Sequence, residues 1–384
     1  MQRSATPRIC LVVNPLAGVG GQLALKGSDG EAGLRALKLG ARPVAPARTA
    51  RFLAAARRNG VLSNVLFLTA GGVMGARELA SASARFDVVY DPPAWPTTRI
   101  DTLETVRRCV DREAELVVFV GGDGTARDVA EALRDAGAPE KPVLGVPSGV
   151  KVYSSVFAES PEAAAHALME WLETRSTCSA EVVDIDEELF RRGVLSIKLY
   201  AVLKTVCSSY MVGSSKQPTR LGSDEAENLK AIARHFVERY YRNCTLYVMG
   251  PGQTVRAIAE ELGVEKTLLG VDVVHSGRVL LRDAKESELY RTVLEHMKRG
   301  GSVYVVVTPI GGQGYILGRG NQQISPRILR LVGRNRILVV ATRSKLKRLR
   351  KLRIDTDDPE LNAELRGYFR VIVDYGEEVL VKAE

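Results

Sequence analysis

The chain has 384 residues, 45% of them hydrophobic and 26% charged. That balance excludes a disordered or collagen-like chain, and the length suffices for two domains. Lys and Arg number 54 against 45 Asp and Glu, a formal net charge of +9. This suits an anionic partner, such as nucleotide, polyphosphate, nucleic acid or an acidic membrane, without choosing among them.

The first half alternates short apolar runs with helical stretches. Runs at 9–13, 61–68, 86–90, 115–120 and 143–146 read as strands. The first enters a glycine-dense turn from Asn14 to Gly21, the fourth enters Gly121-Gly122-Asp123-Gly124-Thr125, and the fifth enters Pro147-Ser148-Gly149. After the fourth run, Val129, Ala130 and Leu133 recur at helical spacing before Gly137 and Pro139. Strands separated by helices mean βαβ units and a mostly parallel sheet, whose buried strands are continuous apolar runs. The centre differs: 181–190 and 194–206 are long and alternating, with Arg191-Arg192-Gly193 between, and predict a hairpin. A helix is expected from Ser223 to about 242. Strand–helix alternation then resumes, with strands at 245–249, 268–274, 303–307 and 337–340, helices at 254–262 and 285–298, and a closing hairpin at 369–373 and 379–381. The fold class predicted is α/β: a Rossmann-like parallel-sheet domain over residues 1–175, and a second mixed α/β domain containing the long hairpin over 176–384.

The five cysteines (Cys10, Cys109, Cys178, Cys207, Cys244) form no CxxC pair, and none of the four histidines lies in HExxH spacing. Reduced thiols of a cytoplasmic protein are the expectation. No apolar run approaches the roughly 18 to 20 residues that span a bilayer. The run at 9–13, closed by Asn14-Pro15, is too short for a signal-peptide core.

Six strand ends share a glycine-bearing turn, near Asn14, Ala70, Gly121, Pro147, Gly250 and Thr308. In open parallel sheets ligands bind outside the carboxyl ends of strands. There glycine lets backbone approach a ligand, and a following helix adds its positive end. Every α/β protein also needs glycines in tight turns. The turn 121–125 stands apart, because three glycines in four positions surround one carboxylate, Asp123. Beside bound phosphates that acid can meet an attacking hydroxyl or a divalent cation. The competing reading makes Asp123 a helix cap.

The order Asn14-Pro15-Leu16-Ala17-Gly18, then Gly121-Gly122-Asp123-Gly124-Thr125, resembles the NAD kinase, diacylglycerol kinase and sphingosine kinase superfamily. More closely it resembles the ATP-NAD kinase-like branch of archaeal polyphosphate- or ATP-dependent NAD kinases and AcoX-type proteins. Gly20-Gly21, residues 25–30, 145–151, 183–186, 250–254 and 308–314 carry that closer likeness. The resemblance implies a Mg²⁺-dependent kinase taking ATP or polyphosphate as donor and the 2′-OH of NAD as acceptor, with small nucleotides as its partners. Asp123 would be the catalytic carboxylate near the acceptor hydroxyl. Asn14, Gly18, Gly20, Gly21, Lys26, Gly121, Gly122, Gly124, Thr125, Ser148, Gly149, Lys151, Gly250, Gly252 and Thr254 would bind the nucleotides. The metal ligands stay unassigned. The chain departs from ordinary NAD kinases in lacking their Asn-Glu pair: Glu227 and Asn228 stand in reversed order within a predicted helix. Its second half also alternates strand and helix, where ordinary NAD kinases are β-rich.

Other residues keep two readings. Lys26 and Lys151 either neutralise donor phosphates or are surface lysines. Asp184 and Asp186 share one strand face, as a metal pair or a solvated hairpin. Asn321, Gln322 and Gln323 read a base or amide edge, or satisfy loop backbone. The basic stretch from Arg343 to Arg353 is expected as a solvated face, since no interleaved aromatics favour nucleic acid. The turn 70–75 approximates the dinucleotide fingerprint but lacks its first glycine, and no GxxxxGK[ST] occurs. Alternatives are a kinase of another small metabolite or lipid alcohol, and a non-catalytic nucleotide sensor. A homo-oligomer is compatible with either.

Overall fold

Strands covered on both faces need apolar side chains on both faces. β1 (Arg8–Val13) shows how the sequence meets that need. Ile9, Leu11 and Val13 point into one buried cluster, and Cys10 and Val12 into another. The computed structural model describes residues 6–19, 31–148, 152–185, 197–212, 223–310, 314–347, 349 and 351–384. By contacts these fall into two compact units, one ending at residue 212 and one beginning at 223.

In the first unit β1 is followed by α1 (Glu31–Lys38), α2 (Ala45–Arg58), β2 (Leu66–Ala70), α3 (Ala76–Ser81) and β3 (Phe86–Tyr90). Then come α4 (Arg99–Asp111), β4 (Leu116–Gly121), α5 (Asp123–Asp135), β5 (Val143–Pro147), α6 (Pro161–Thr174), β6 (Thr177–Ile185) and β7 (Ile197–Val206). The sheet order is β3-β2-β1-β4-β5-β7-β6, parallel from β3 through β7. One face packs on Phe52 and Leu53 of α2 and Leu168 and Trp171 of α6. The other packs on Leu103 and Val106 of α4 and Val129 and Leu133 of α5. Each such side chain taken from water contributes about 1.5–3 kcal/mol.

The hairpin expected from 181–206 is the antiparallel pair β6–β7, but β7 pairs with β5 at Val143↔Thr205. It therefore completes the first sheet instead of belonging to the second domain. The division expected at 175 falls between α6 and β6, whereas the contacts divide the chain after β7. The turn of this hairpin lies outside the described residues.

The second unit runs α7 (Ser223–Arg239), β8 (Thr245–Met249), α8 (Gln253–Glu261), β9 (Asp272–His275), β10 (Arg278–Leu281), α9 (Glu286–Lys298) and β11 (Ser302–Val307). It continues with β12 (Tyr315–Leu317), α10 (Pro326–Val332), β13 (Ile337–Val340), α11 (Arg343–Lys347), β14 (Arg353–Ile354), α12 (Pro359–Leu365), β15 (Gly367–Asp374) and β16 (Glu377–Ala383). Its sheet order is β10-β9-β8-β11-β13-β15-β16, with β8, β11, β13 and β15 parallel. α9 and α10 cover one face, α7 and α8 the other. The strand expected at 268–274 begins only at Asp272. Before it, the Leu268 carbonyl accepts from Gly252 and the Gly270 carbonyl from Lys266, so this backbone is spent on loops.

Candidate functional site

In the first sheet, chain order reverses between β1 and β4, which lie side by side. A crevice outside the carboxyl ends of such a pair is where doubly wound sheets bind ligands. Three predicted segments meet there. Asn14, just past β1, donates from its backbone to the Val120 carbonyl (3.0 Å) and from Nδ2 to Thr125 Oγ1 (3.0 Å). Ser148, just past β5, donates its amide to the Gly121 carbonyl (2.9 Å). Gly18, at φ +81°, packs so closely that an added Cβ would lie 2.2 Å from the Ser148 carbonyl oxygen. Only glycine meets both demands.

The turn 121–125 leads into α5 with Gly122 at the N-cap. Ala126 donates the first intrahelical bond, back to Gly122, so the amides from Asp123 to Thr125 precede that ladder. Such amides and the helix dipole favour anionic oxygens. A Cβ on Gly121 would lie 2.4 Å from the Thr125 side chain, so this glycine lets Thr125 fold back toward Asn14. The Ser148 hydroxyl is buried and has no hydrogen-bond partner among the described residues.

Asp123 is half-buried, and its carboxylate reaches beyond its own helix. Its Oδ2 accepts from the Tyr153 amide at 2.8 Å, and its Oδ1 from the Ser154 amide at 2.8 Å. Ser154 Oγ in turn accepts from the Val183 amide of β6 (3.0 Å). The carboxylate thus joins the head of α5 to the segment after β5. Burial first, then the Asp123 charge, pushes the Tyr153 phenol far up, so it stays protonated. Tyr153 and Ser154 escaped sequence reasoning because they contribute backbone amides, which carry no residue signature.

The model for an ATP-NAD kinase N-terminal domain matches residues 9–176, and that for an ATP-NAD kinase C-terminal domain matches 242–383. The chain belongs to the ATP-NAD kinase-like family. No curated protein and no solved structure matches it. Within the kinase's first unit, the predicted Asn14, Gly18, Gly121, Gly122, Asp123, Gly124, Thr125 and Ser148 are brought together. Gly20, Gly21, Lys26, Gly149, Lys151 and Asp186 lie outside the described residues.

Gly250, Gly252 and Thr254 belong to the kinase's second unit, at the end of β8. Gly252 (φ +120°) heads α8, and a Cβ there would meet Thr308 Cγ2 at 2.6 Å. Thr254 is buried in the first turn of α8. Lys345 reaches the same strand ends, with Nζ 3.4 Å from Thr308 Oγ1. Burial lowers its pKa to about 8, against the Glu225 charge. The basic stretch from Arg343 to Arg353 is expected as a solvated face. That reading suits Arg343, which pairs with Asp374 and Glu377, but not Lys345. The signal was position, since Lys345 lies just past the end of a parallel strand. Asn228 is structural: it donates to the Val373 carbonyl and accepts from the Arg343 amide.

Among the described residues no cluster of three or more His, Cys, Asp or Glu could hold a metal ion. Mg²⁺ is commonly held by one or two carboxylates together with substrate phosphates, and in the first unit's crevice Asp123 is the carboxylate that fits this pattern. No described helix is long and apolar enough to cross a membrane.

Proposed function

We propose that the chain transfers a phosphoryl group from ATP or polyphosphate to a hydroxyl, the 2′-OH of NAD, in the cytoplasm. The observation that carries this is Asp123: a carboxylate at the head of α5, bonded to the segment after β5 and set beside a glycine turn at the order reversal of a parallel sheet. Asp123 would hold or take the proton of the acceptor hydroxyl as that oxygen bonds phosphorus and the donor's bridging oxygen leaves. The amides of Asp123 to Thr125 and the Ser148 hydroxyl would receive donor phosphate oxygens. Phosphoryl transfer asks little beyond such positioning and charge neutralisation. Mg²⁺, carried in by the phosphates, would supply part of that neutralisation.

The test is formation of NADP from NAD with ATP or polyphosphate and Mg²⁺. The Asp123→Asn protein should lose on the order of 10²–10⁴ in turnover while keeping one acceptor oxygen for Tyr153 and Ser154. Wild-type turnover in a folded Asp123→Asn protein would overturn the role.

A further inference from the structure

Four of the five cysteines meet in two pairs, both in the first unit. Cys10 on β1 and Cys109 on α4 are fully buried. The Cys109 thiol hydrogen-bonds to the Cys10 sulfur and also lies 3.5 Å from the Leu68 carbonyl oxygen. The second pair is Cys178 on β6 and Cys207, the residue after β7. Here Cys178 is partly exposed and Cys207 is exposed.

The β6–β7 ladder brings the second pair together. Cys178 lies opposite Thr205. The Cys207 amide donates to the Ser176 carbonyl at 3.1 Å, which carries the pairing one rung past Thr177↔Val206. Opposite residues share a sheet face, and so do residues two apart on one strand. Cys178, Thr205 and Cys207 therefore stand on one side of the hairpin, with the cysteines on a diagonal. The Cys178 thiol donates across that diagonal to the Cys207 sulfur, and burial together with this bond raises it to about 11. Neither sulfur takes part in the crevice at Asp123.

We propose that Cys178 and Cys207 form a reversible disulfide when the protein meets a hydroperoxide. Cys207 is the entry point, because thiol oxidation follows access and thiolate character. Its thiolate attacks the peroxide and keeps one oxygen as a sulfenic acid, and the other oxygen leaves as water. The Cys178 sulfur then bonds to the Cys207 sulfur, and the sulfenic hydroxyl leaves with the Cys178 proton as a second water. Two thiols and one hydrogen peroxide thus give one disulfide and two waters. A dithiol reverses the step by exchange and is itself oxidised. The bond of about 2.0 Å is shorter than any thiol hydrogen bond. Cys207 closes that gap by side-chain rotation and by its place beyond the last residue of β7. The neighbouring Thr205 hydroxyl donates to the Val143 carbonyl of β5 at 2.8 Å, so the disulfide clasps the hairpin where it joins the parallel sheet. The buried Cys10–Cys109 pair has the same sulfur contact without access, and stays reduced.

The test treats the folded full chain carrying Cys244→Ser, which removes the other exposed thiol, with a slight excess of hydrogen peroxide. Free thiols are then blocked in denaturant and tryptic peptides are mapped by mass. The peptides holding Cys178 and Cys207 should be recovered linked, lighter than their sum by two hydrogen atoms, and dithiothreitol should separate them. Cys10 and Cys109 should carry the blocking group. Adding Cys178→Ser should abolish the link and leave Cys207 as a sulfenic acid that dimedone captures. Adding Cys207→Ser should leave Cys178 reduced. If Cys207 advances to its sulfinic acid while Cys178 stays free, or if Cys10 and Cys109 link while Cys178 and Cys207 do not, the proposal is overturned. The parent chain alone decides between these results, so the test stands even where a serine variant fails to fold.

Discussion

Lys266 is a buried cation whose removal has a signed consequence. It is 5% exposed, and its Nζ donates to the carbonyls of Thr267 (2.7 Å) and Gly270 (3.1 Å). Burial lowers its pKa from 10.5 to about 8, although Asp272 and Asp283 pull the other way. In the unfolded chain the amine keeps its proton up to its ordinary value, while in the folded chain it releases it near 8. Between those values the unfolded state binds more protons, so the Lys266 contribution to stability rises with pH. Below about pH 8 both states are charged and the burial penalty is present in full. At roughly 1.4 kcal/mol per pH unit the window is worth about 3 kcal/mol. Lys266→Met keeps a flexible apolar chain of similar length and no proton. Urea unfolding of both proteins from about pH 7 to about pH 10.5, read at the second unit by hydrogen exchange, should show the wild type gaining about 3 kcal/mol on the variant. Cys178, Tyr240 and Lys345, also displaced in pKa, titrate in both proteins and cancel in the difference. Parallel pH profiles would refute the reasoning, since they would mean that Lys266 stays charged in the fold or that water reaches it.

Two further outcomes follow from the crevice of the first unit. Gly18→Ala must place a Cβ 2.2 Å from the Ser148 carbonyl oxygen at φ +81°. It should cost about 2–4 kcal/mol, visible as a melting point lowered by several degrees; an unchanged melting point would show that the two turns do not meet. Asn14→Ala, Thr125→Val and the double variant form a cycle across the 3.0 Å hydrogen bond joining the β1 and β4 turns. The coupling should be about 0.5–1.5 kcal/mol, and strictly additive effects would place the two side chains apart.

Much of the fold was legible because burial on both sheet faces leaves a plain trace. β3, β8 and β13 occupy the runs read for them, and β1, β4, β5 and β11 differ from theirs by a residue at one or both ends. Glycine turns at strand ends located the crevice for the same reason, since close backbone approach requires a missing Cβ. Long-range pairing was not legible. Nothing in residues 197–206 says that β7 adds to β5, because a hairpin strand presents the same alternation whichever sheet receives it. The partners of Asp123 were hidden too, lying 30 and 31 residues on and using backbone amides. Lys345 departs from its exposed neighbour Arg343, because local sequence does not report how far one cation in a basic run is covered.

The two sheets also share an arrangement that no local pattern announced. Writing β1, β4, β5 and β7 beside β8, β11, β13 and β15 aligns the orders β3-β2-β1-β4-β5-β7-β6 and β10-β9-β8-β11-β13-β15-β16 strand for strand. Each unit ends in an antiparallel hairpin on the same side of its parallel core, β7 with β6 and β15 with β16. The match breaks at β9 and β10, each antiparallel to its neighbour where β2 and β3 are parallel to theirs, and at the hairpins, whose inner strand is the later one (β7) in the first unit and the earlier one (β15) in the second. Each unit reverses strand order beside its first strand, so each has a crevice of the kind that binds ligands. In the first it is built from Asn14, Ser148 and Asp123, and in the second from Gly252, Thr308 and Lys345. Asp123 brings a carboxylate to the first set, and the half-buried Lys345 brings an amine to the second. The two crevices therefore carry side chains of opposite kind at corresponding strand ends, a carboxylate in one and an amine in the other.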